Sequence, residues 1–199
     1  MAKLFAYHQF ENVLDQGTLA ELVDFTLTNE ANYTLSNVAR VGEKVIDTTS
    51  RYSLTLLKPS KFKHVFIEKL TALSDDIFYH LNMSRFKISK FEFQLSAHGN
   101  GAFFKQHIDT ISHQSTGKSS RVISAVFYYH LTPKEFEGGE LVLYPLPFLP
   151  GDDQPVVINP MNNKLVVFPS VAPHEVLPVT LQKSDFSKYR FSVNCWLHK

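Results

Sequence analysis

The stretch YRFSVNCWL, residues 189–197, decides the fold because its two faces differ in chemistry. Side chains alternate across a β-strand. One face is therefore wholly apolar, with Phe191, Val193, Cys195 and Leu197. The other face carries side chains with hydrogen-bonding tips, namely Arg190, Ser192, Asn194 and Trp196. The pattern predicts a strand, and the rest of the chain shows what surrounds it.

From about Lys87 onward, short runs rich in Phe, Val, Ile, Leu and Tyr alternate with clusters of turn residues. The hairpin signal Gly99-Asn100-Gly101 separates the first two runs. Many short strands with regular turns predict a β-sandwich or jelly roll. We predict strands at 91–97, 102–108, 122–131, 140–143, 165–168, 175–179 and 189–197, with shorter pieces at 33–38 and 53–57.

Two helical patterns precede these strands. Apolar residues recur at helical spacing after Asp15 and stop near Asn29. A second pattern begins at Ser60, a predicted N-cap that follows Pro59, and continues to about Leu81. Both apolar stripes predict packing against a sheet. The expected fold is mainly β with N-terminal α-helices (α+β), a double-stranded β-helix or jelly roll with the helices on one sheet.

The composition excludes several classes of protein. The chain has 199 residues, and its 20 basic and 19 acidic side chains leave a net charge of +1, which disfavours nucleic acid as a primary ligand. Its lone Cys195 excludes a disulfide framework and suits a reducing compartment. No signal peptide or membrane span is visible in the apolar pattern. We expect one cytoplasmic domain over 1–199, with a support region at 1–86, a jelly-roll core at 87–199 and no membrane partner.

His107 and Asp109 stand two residues apart at the end of a predicted strand, in QLSAHGNGAFFKQHID (94–109). Their side chains therefore point to the same side and can bind one metal ion together. His174, in FPSVAPHEVLPV (168–179), supplies a third ligand from a distant strand. Two histidines and one carboxylate form the facial triad of non-haem Fe(II) oxygenases, which leaves coordination positions open. We predict these three residues as the metal and catalytic site.

Arg190 lies on the polar face of the last predicted strand. An arginine surrounded by sheet is costly to bury unless an anion meets it. Its planar guanidinium suits a bidentate grip on a carboxylate, and the Ser192 hydroxyl offers a second donor. Trp196 on the same face argues against a solvent-exposed arginine. We predict that Arg190 and Ser192 hold a dicarboxylate cosubstrate near the metal.

Four segments together carry a family resemblance: GAFFKQHID, VFYYHLTPKEFEGGELVLY, VVFPSVAPHEVLPV and RFSVNCWLH. They fall within residues 94–198 and resemble the Fe(II)/2-oxoglutarate-dependent dioxygenases, most closely the prolyl 4-hydroxylase-like group. The resemblance implies that Fe(II) binds to His107, Asp109 and His174. It also implies that Arg190 and Ser192 bind 2-oxoglutarate, that O2 is the second cosubstrate and that ascorbate is a candidate reductant.

The resemblance implies further contacts in the pocket. Tyr128 falls where the family often has a tyrosine that hydrogen-bonds the cosubstrate, and Tyr129 faces the other way by parity. His98 stands where many relatives have a tyrosine, and we carry it over as a cosubstrate contact. Trp196 and Asn194 are expected on the substrate side.

The implied reaction is hydroxylation of an unactivated C–H bond, first of a prolyl residue in a peptide or protein, with release of succinate and CO2. Two alternatives stay open. One is the same chemistry on a free amino acid or another small metabolite. The other is a non-catalytic, cupin-like metal-binding jelly roll, which has no use for Arg190 and Ser192. The segments 110–120 and 145–160 flank the predicted site, as lids or as ordinary surface loops.

Overall fold

The computed structural model describes residues 4–40, 43–57, 61–110, 120–146 and 153–199. The predicted cap Ser60 lies outside these ranges, as do 111–119 and 147–152 of the two predicted loops. The helices are α1 (Gln16–Thr28), α2 (Phe62–Ala72) and α3 (Ser74–His80), with short 3-10 helices at Glu30–Asn32 and Phe186–Lys188.

The first eight strands are β1 (His8–Glu11), β2 (Thr34–Leu35), β3 (Val38–Arg40), β4 (Glu43–Val45), β5 (Arg51–Tyr52), β6 (Leu54–Leu56), β7 (Lys90–His98) and β8 (Phe103–His107). The remaining strands are β9 (Arg121–Tyr129), β10 (Phe136–Gly138), β11 (Leu141–Leu143), β12 (Val156–Ile158), β13 (Lys164–Pro169), β14 (His174–Val176), β15 (Val179–Leu181) and β16 (Arg190–His198).

Two antiparallel sheets form the body of the fold. The larger has seven strands in the order β1-β13-β9-β16-β7-β6-β2, and the smaller has five in the order β12-β11-β14-β8-β5. Apolar side chains of both sheets share one buried cluster, which includes Phe168 from the larger sheet and Leu141 from the smaller. This arrangement confirms the predicted double-stranded β-helix. Short ribbons of β10 with β15 and β3 with β4 complete the described strands.

The helices cover the outer face of the larger sheet. β16 runs through the middle of this sheet, between β9 and β7. Its apolar face, which includes Phe191 and Val193, shares one buried core with Leu22 of α1 and Phe66 of α2. The Phe66 and Phe127 rings meet edge to face at 5.1 Å. The apolar stripes of the helices therefore pack on the sheet as predicted, and the opposite face of β16 looks into the space between the sheets.

The second helical pattern forms two helices instead of one. α2 ends at Ala72 and α3 begins at Ser74, with Leu73 between them at ψ −1°. The Ser74 hydroxyl donates to the Thr71 carbonyl at 2.7 Å. A serine side chain that bonds to a nearby helix carbonyl competes with the regular backbone ladder and favours a bend. The apolar stripe continues across this break, so the periodicity alone does not predict where one helix ends and the next begins.

Part of the predicted irregular segment 145–160 is a strand. β12 lies at Val156–Ile158, between Pro155 and Pro160, and pairs with β11 alone. Prolines are tolerated beside an edge strand because the outer side needs no ladder hydrogen bonds. The prolines in this segment therefore led to the wrong prediction that it contains no strand. Separately, no helix in the described part of the chain is both long and apolar enough to cross a membrane.

Candidate active site

The two histidines of the predicted triad face each other across a pair of strands. His107 ends β8 and His174 begins β14, and the antiparallel register places them directly opposite. Asp109 follows β8 by two residues, and its amide donates to the Ser170 carbonyl at 2.9 Å. One ligand atom from each of the three residues lies within 4.8 Å of the others. The structure thus brings together three residues that sequence spacing alone leaves up to 67 positions apart.

The imidazole rings are oriented toward the carboxylate. The Nδ1 atoms of His107 and His174 lie 2.8 and 2.9 Å from the carbonyls of Lys105 and Ala172. A carbonyl only accepts, so each Nδ1 carries the proton and each Nε2 lone pair stays free. The Nε2 atoms lie 3.7 and 3.4 Å from the two carboxylate oxygens of Asp109. Backbone carbonyls that orient ligating histidines in this way are typical of metal sites.

The Ser124 hydroxyl holds the Asp109 carboxylate, and the Ser170 hydroxyl in turn contacts Ser124. Ser124 donates to Asp109 Oδ2 at 2.7 Å, and the Ser124 and Ser170 hydroxyl oxygens are 2.9 Å apart. Ser124 lies on β9, on the same face as Tyr128 by strand parity. That alternation is the signal through which the sequence could have identified Ser124.

The protonation states of the cluster suit a metal. Burial, followed by the neighbouring His174, lowers the pKa of His107 to about 3. Burial alone raises the pKa of Asp109, but His174, His107 and hydrogen bonding from Trp196 and Ser124 outweigh it and lower the pKa below its usual range. A neutral imidazole and an ionised carboxylate are the forms that ligate. This donor set of two nitrogens and one carboxylate suits Fe(II) and leaves coordination positions open.

Arg190 is buried in β16, the strand that pairs with β9, which carries Ser124, and only 1% of its surface is exposed. Its Nε donates to the Gly139 carbonyl at 2.8 Å, and its Nη1 lies 3.2 Å from His98 Nδ1. Its guanidinium carbon lies 4.8 Å from the centre of the Tyr128 ring. All of these partners are neutral, so the cation has no negatively charged partner in contact within the described chain. Burial lowers the pKa of Arg190, and the opposing effects of Tyr128 and Glu140 offset this only in part.

Two buried hydroxyls without hydrogen-bond partners lie next to Arg190. They belong to Tyr128 and Ser192, which are directly opposite each other in the register of β9 and β16. The Arg190 guanidinium lies over the face of the Tyr128 ring, where it attracts the ring electrons. It donates no hydrogen bond of good geometry to the Tyr128 hydroxyl. Buried polar atoms in native proteins are almost always paired. A buried cation with two unpaired hydroxyls therefore fits a bound carboxylate, as the 2-oxoglutarate prediction requires.

Tyr129 lies on the opposite face of the sheet from Tyr128. Its hydroxyl is 2.8 Å from Thr26 Oγ1 of α1, within the helix-facing core. The structure therefore has the parity that was predicted for the two tyrosines.

His98 contacts the cosubstrate pocket through Arg190. Because a guanidinium only donates, His98 Nδ1 must accept, and the imidazole carries its proton on Nε2. Burial, followed by the charge of Arg190, lowers the pKa of His98 well below its usual value and keeps the ring neutral. Within the described residues, His98 is not part of the cluster that can hold a metal.

Trp196 and Asn194 share the inner face of β16 with Arg190 and Ser192. Trp196 is directly opposite Ser124, the residue that holds Asp109, in the register of β16 and β9. The guanidinium carbon of Arg121 lies 3.8 Å from the centre of the indole. Asn194 Nδ2 donates to Ser96 Oγ at 2.9 Å, farther along the sheet. The expectation that both contact substrate stays a prediction.

Comparison with known proteins agrees with this geometry. Residues 93–198 match the model of the 2OG-Fe(II) oxygenase superfamily. The chain is 30% identical over 213 residues to an uncharacterized PKHD-type hydroxylase of Synechocystis, and the match covers 97% of this chain and 67% of that protein.

Solved structures share the fold. A Pseudomonas putida prolyl-4-hydroxylase superposes with a TM-score of 0.67 at 22% identity, covering 98% of this chain and 93% of that one. A Trichoplax adhaerens prolyl hydroxylase, solved with a hypoxia inducible factor peptide, superposes with a TM-score of 0.66 at 19% identity, covering 98% and 84%.

Proposed function

The chain belongs to the 2OG-Fe(II) oxygenase superfamily, and we propose that it hydroxylates a prolyl residue in a peptide or protein. Membership makes it an oxidoreductase that uses Fe(II), 2-oxoglutarate and O2. We further propose that residues 1–199 act as a single oxygenase domain, with the helical layer as support for the sheet that carries the pocket.

One observation carries the proposal. The buried Arg190, whose contacts are all with neutral groups, lies on the inner face of the same sheet as Ser124, which holds Asp109. The unpaired hydroxyls of Tyr128 and Ser192 lie on the same face. These groups would hold one carboxylate of the cosubstrate, while His107, Asp109 and His174 would hold the metal. A non-catalytic metal-binding jelly roll has no use for such an anion pocket, so we disfavour that alternative.

The proposed roles divide among the site residues. His107, Asp109 and His174 hold Fe(II), which when bound supplies the activation of O2 for attack on a C–H bond. Arg190 binds the far carboxylate of 2-oxoglutarate in a charge-assisted contact, while Tyr128 and Ser192 donate to the same group. Gly139 and His98 fix the direction of the Arg190 guanidinium. Arg190, Tyr128 and Ser192 are all buried, which strengthens each electrostatic contact with a bound carboxylate.

Support for a prolyl substrate comes from the similar proteins. The relative at 30% identity is a PKHD-type hydroxylase, and the two solved structures are prolyl hydroxylases, one with a bound peptide. Exposed apolar side chains flank the site in this chain, with Ile108 53% exposed between two triad residues and Tyr52 42% exposed on the neighbouring edge strand. An open apolar rim suits contact with an extended peptide.

The test offers proline in two forms to the Fe(II)-loaded enzyme. Proline-containing peptides and free L-proline are incubated with 2-oxoglutarate, and mass spectrometry follows the gain of one oxygen atom. We expect the gain on peptides, together with stoichiometric succinate. Hydroxylated free proline beside unchanged peptides would favour the small-metabolite alternative, and absence of succinate formation with every substrate would contradict the oxygenase assignment.

A further inference from the structure

A second arginine points into the space between the sheets from the far side of the triad. Arg51 lies on β5, paired with Phe104 of β8, and its guanidinium carbon is 4.8 Å from the centre of the Phe104 ring. The other neighbour of that ring is the His107 imidazole, stacked at 3.5 Å. Phe104 therefore links Arg51 to a predicted metal ligand.

The contacts of Arg51 are all with neutral groups. Its Nε donates to Ser53 Oγ at 3.0 Å, while its Nη2 and Nη1 reach Ser96 Oγ at 3.4 Å and the Asn37 carbonyl at 3.5 Å. The last two are at the long limit for hydrogen bonds. Burial lowers the pKa of Arg51 to about 10, against the opposing effect of Asp109. Within the described chain, the cation is desolvated without a carboxylate in contact.

The surroundings of Arg51 are rich in donors. Asn194 Nδ2 donates to Ser96 Oγ at 2.9 Å, and Arg51 approaches the same oxygen. Gln94 Nε2 donates to Thr55 Oγ1 at 2.7 Å and also lies 3.2 Å from Ser96 Oγ. A hydroxyl oxygen has two lone pairs. Three N–H groups that share one such acceptor leave donor capacity for a ligand that only accepts.

None of the described carboxylates contacts Arg51, whereas the other positive charges of the site have carboxylates to offset them. Bound Fe(II) would be offset by Asp109 and the cosubstrate, and Glu140 acts on Arg190. Arg121 has its own partner, because it contacts the Glu92 carboxylate at 2.6 and 3.0 Å. The Arg51 guanidinium therefore has no anion in contact, although only the Phe104 ring separates it from the predicted metal ligand His107.

We propose that Arg51, with Asn194 and Gln94 beside it, forms a subsite for a carboxylate of the primary substrate. This inference rests on the proposed function and specifies its substrate class: the molecule that is hydroxylated is anionic near the reacting carbon. The carboxylate has two sources, the side chain of an acidic residue next to the target in a peptide, or the α-carboxylate of a small amino acid. Both present the same planar acceptor to the guanidinium fork.

The test detects anion binding without knowledge of the substrate. The protein is loaded with Zn(II), which has no redox chemistry, and with saturating 2-oxoglutarate, so that the Arg190 pocket is filled. Carbon-13-labelled acetate and acetamide are then titrated, and NMR line broadening reports their binding. We expect saturable broadening of acetate at least tenfold stronger than that of acetamide. Arg51→Gln should abolish the difference, and Arg51→Lys should restore part of it.

Controls separate this subsite from the cosubstrate pocket. Arg85→Gln is a matched substitution, because Arg85 is an exposed arginine paired with Asp75, and it should leave acetate binding unchanged. Acetate that displaces labelled 2-oxoglutarate, or that binds Arg51→Gln as well as it binds the wild type, would overturn the subsite. Failure of 2-oxoglutarate itself to bind the Zn(II)-loaded wild type would instead count against the proposed function.

A second series identifies the source of the carboxylate by competition with labelled acetate. N-acetyl-Glu-Pro-amide is compared with its Gln counterpart, and free L-proline with L-prolinamide. The carboxylate member of one pair should displace acetate at a concentration at least tenfold lower than its amide partner, in the wild type and not in Arg51→Gln. Equal displacement by the carboxylate and amide members of both pairs would contradict the inference.

Discussion

Tyr128 lies directly opposite Ser192 in the antiparallel pair of β9 and β16, and neither buried hydroxyl has a hydrogen-bond partner. Both lie beside the guanidinium of Arg190, which itself contacts only neutral groups. Leaving buried donors unpaired costs about 1–3 kcal/mol each. A carboxylate bound here would accept hydrogen bonds from both hydroxyls and from Arg190, and this preorganisation underlies the predictions below.

Adjacent tyrosines give a matched pair of variants. Tyr128→Phe removes an unpaired hydroxyl, so it should leave thermal stability unchanged or slightly higher. It should weaken 2-oxoglutarate binding about tenfold or more, because hydrogen bonds to charged groups contribute about 1.5–3 kcal/mol. Tyr129→Phe removes the partner of Thr26 and should lower stability by about 1 kcal/mol without affecting the cosubstrate. Calorimetry of binding and of unfolding checks both, and weaker 2-oxoglutarate binding in Tyr129→Phe alone would reverse the assignment.

Removing the hydroxyl that holds Asp109 should weaken metal binding. Ser124→Ala deletes the 2.7 Å hydrogen bond to Asp109 Oδ2, and loss of such an outer partner costs about 10–100-fold in metal affinity. Anaerobic titration with Fe(II) measures the change. Ser74→Ala, which removes an exposed hydroxyl bonded to the Thr71 carbonyl, is the control. Equal affinities in the wild type and Ser124→Ala would exclude this role for Ser124.

Two glycines with similar backbone angles differ in what a side chain would meet. Gly139 has a φ of 71°, and an added Cβ would lie 2.7 Å from Arg190 Cδ. Gly101 has a φ of 73° and nothing within 4 Å of that position. Both alanine variants pay backbone strain of roughly 1 kcal/mol or more, but Gly139→Ala also displaces Arg190. The KM for 2-oxoglutarate should therefore rise in Gly139→Ala and stay near the wild-type value in Gly101→Ala, and equal KM values in the two variants would contradict the assignment.

Cys195 offers a test of the helix-facing core. Burial raises the pKa of its thiol well above the usual value, so the reactive thiolate is scarce in the native protein. Labelling by a thiol reagent at pH 8 should be slow and should accelerate sharply in denaturant. Rapid labelling of the native chain would show that the apolar face of β16 is not covered as described.

Strand alternation explains why much of the site was predictable. The inner face of β16 follows from parity alone, which is a local property of the backbone, and the same rule separates Tyr128 from Tyr129. The position of Arg51 depends instead on the pairing of β5 with β8 across 53 residues, which no local pattern encodes. The role of the Gly139 carbonyl could not be predicted, because every residue has a backbone carbonyl. Only the fold shows that this carbonyl orients Arg190.

The central claim is that His107, Asp109 and His174 bind one Fe(II) together. Anaerobic equilibrium dialysis of the wild type and of His174→Ala tests it most directly, with circular dichroism to verify that the variant is folded. We predict one Fe(II) per wild-type chain, and a loss of affinity in the variant beyond the roughly 10–100-fold expected for an outer partner. A folded His174→Ala that still binds one Fe(II) with wild-type affinity would contradict the account.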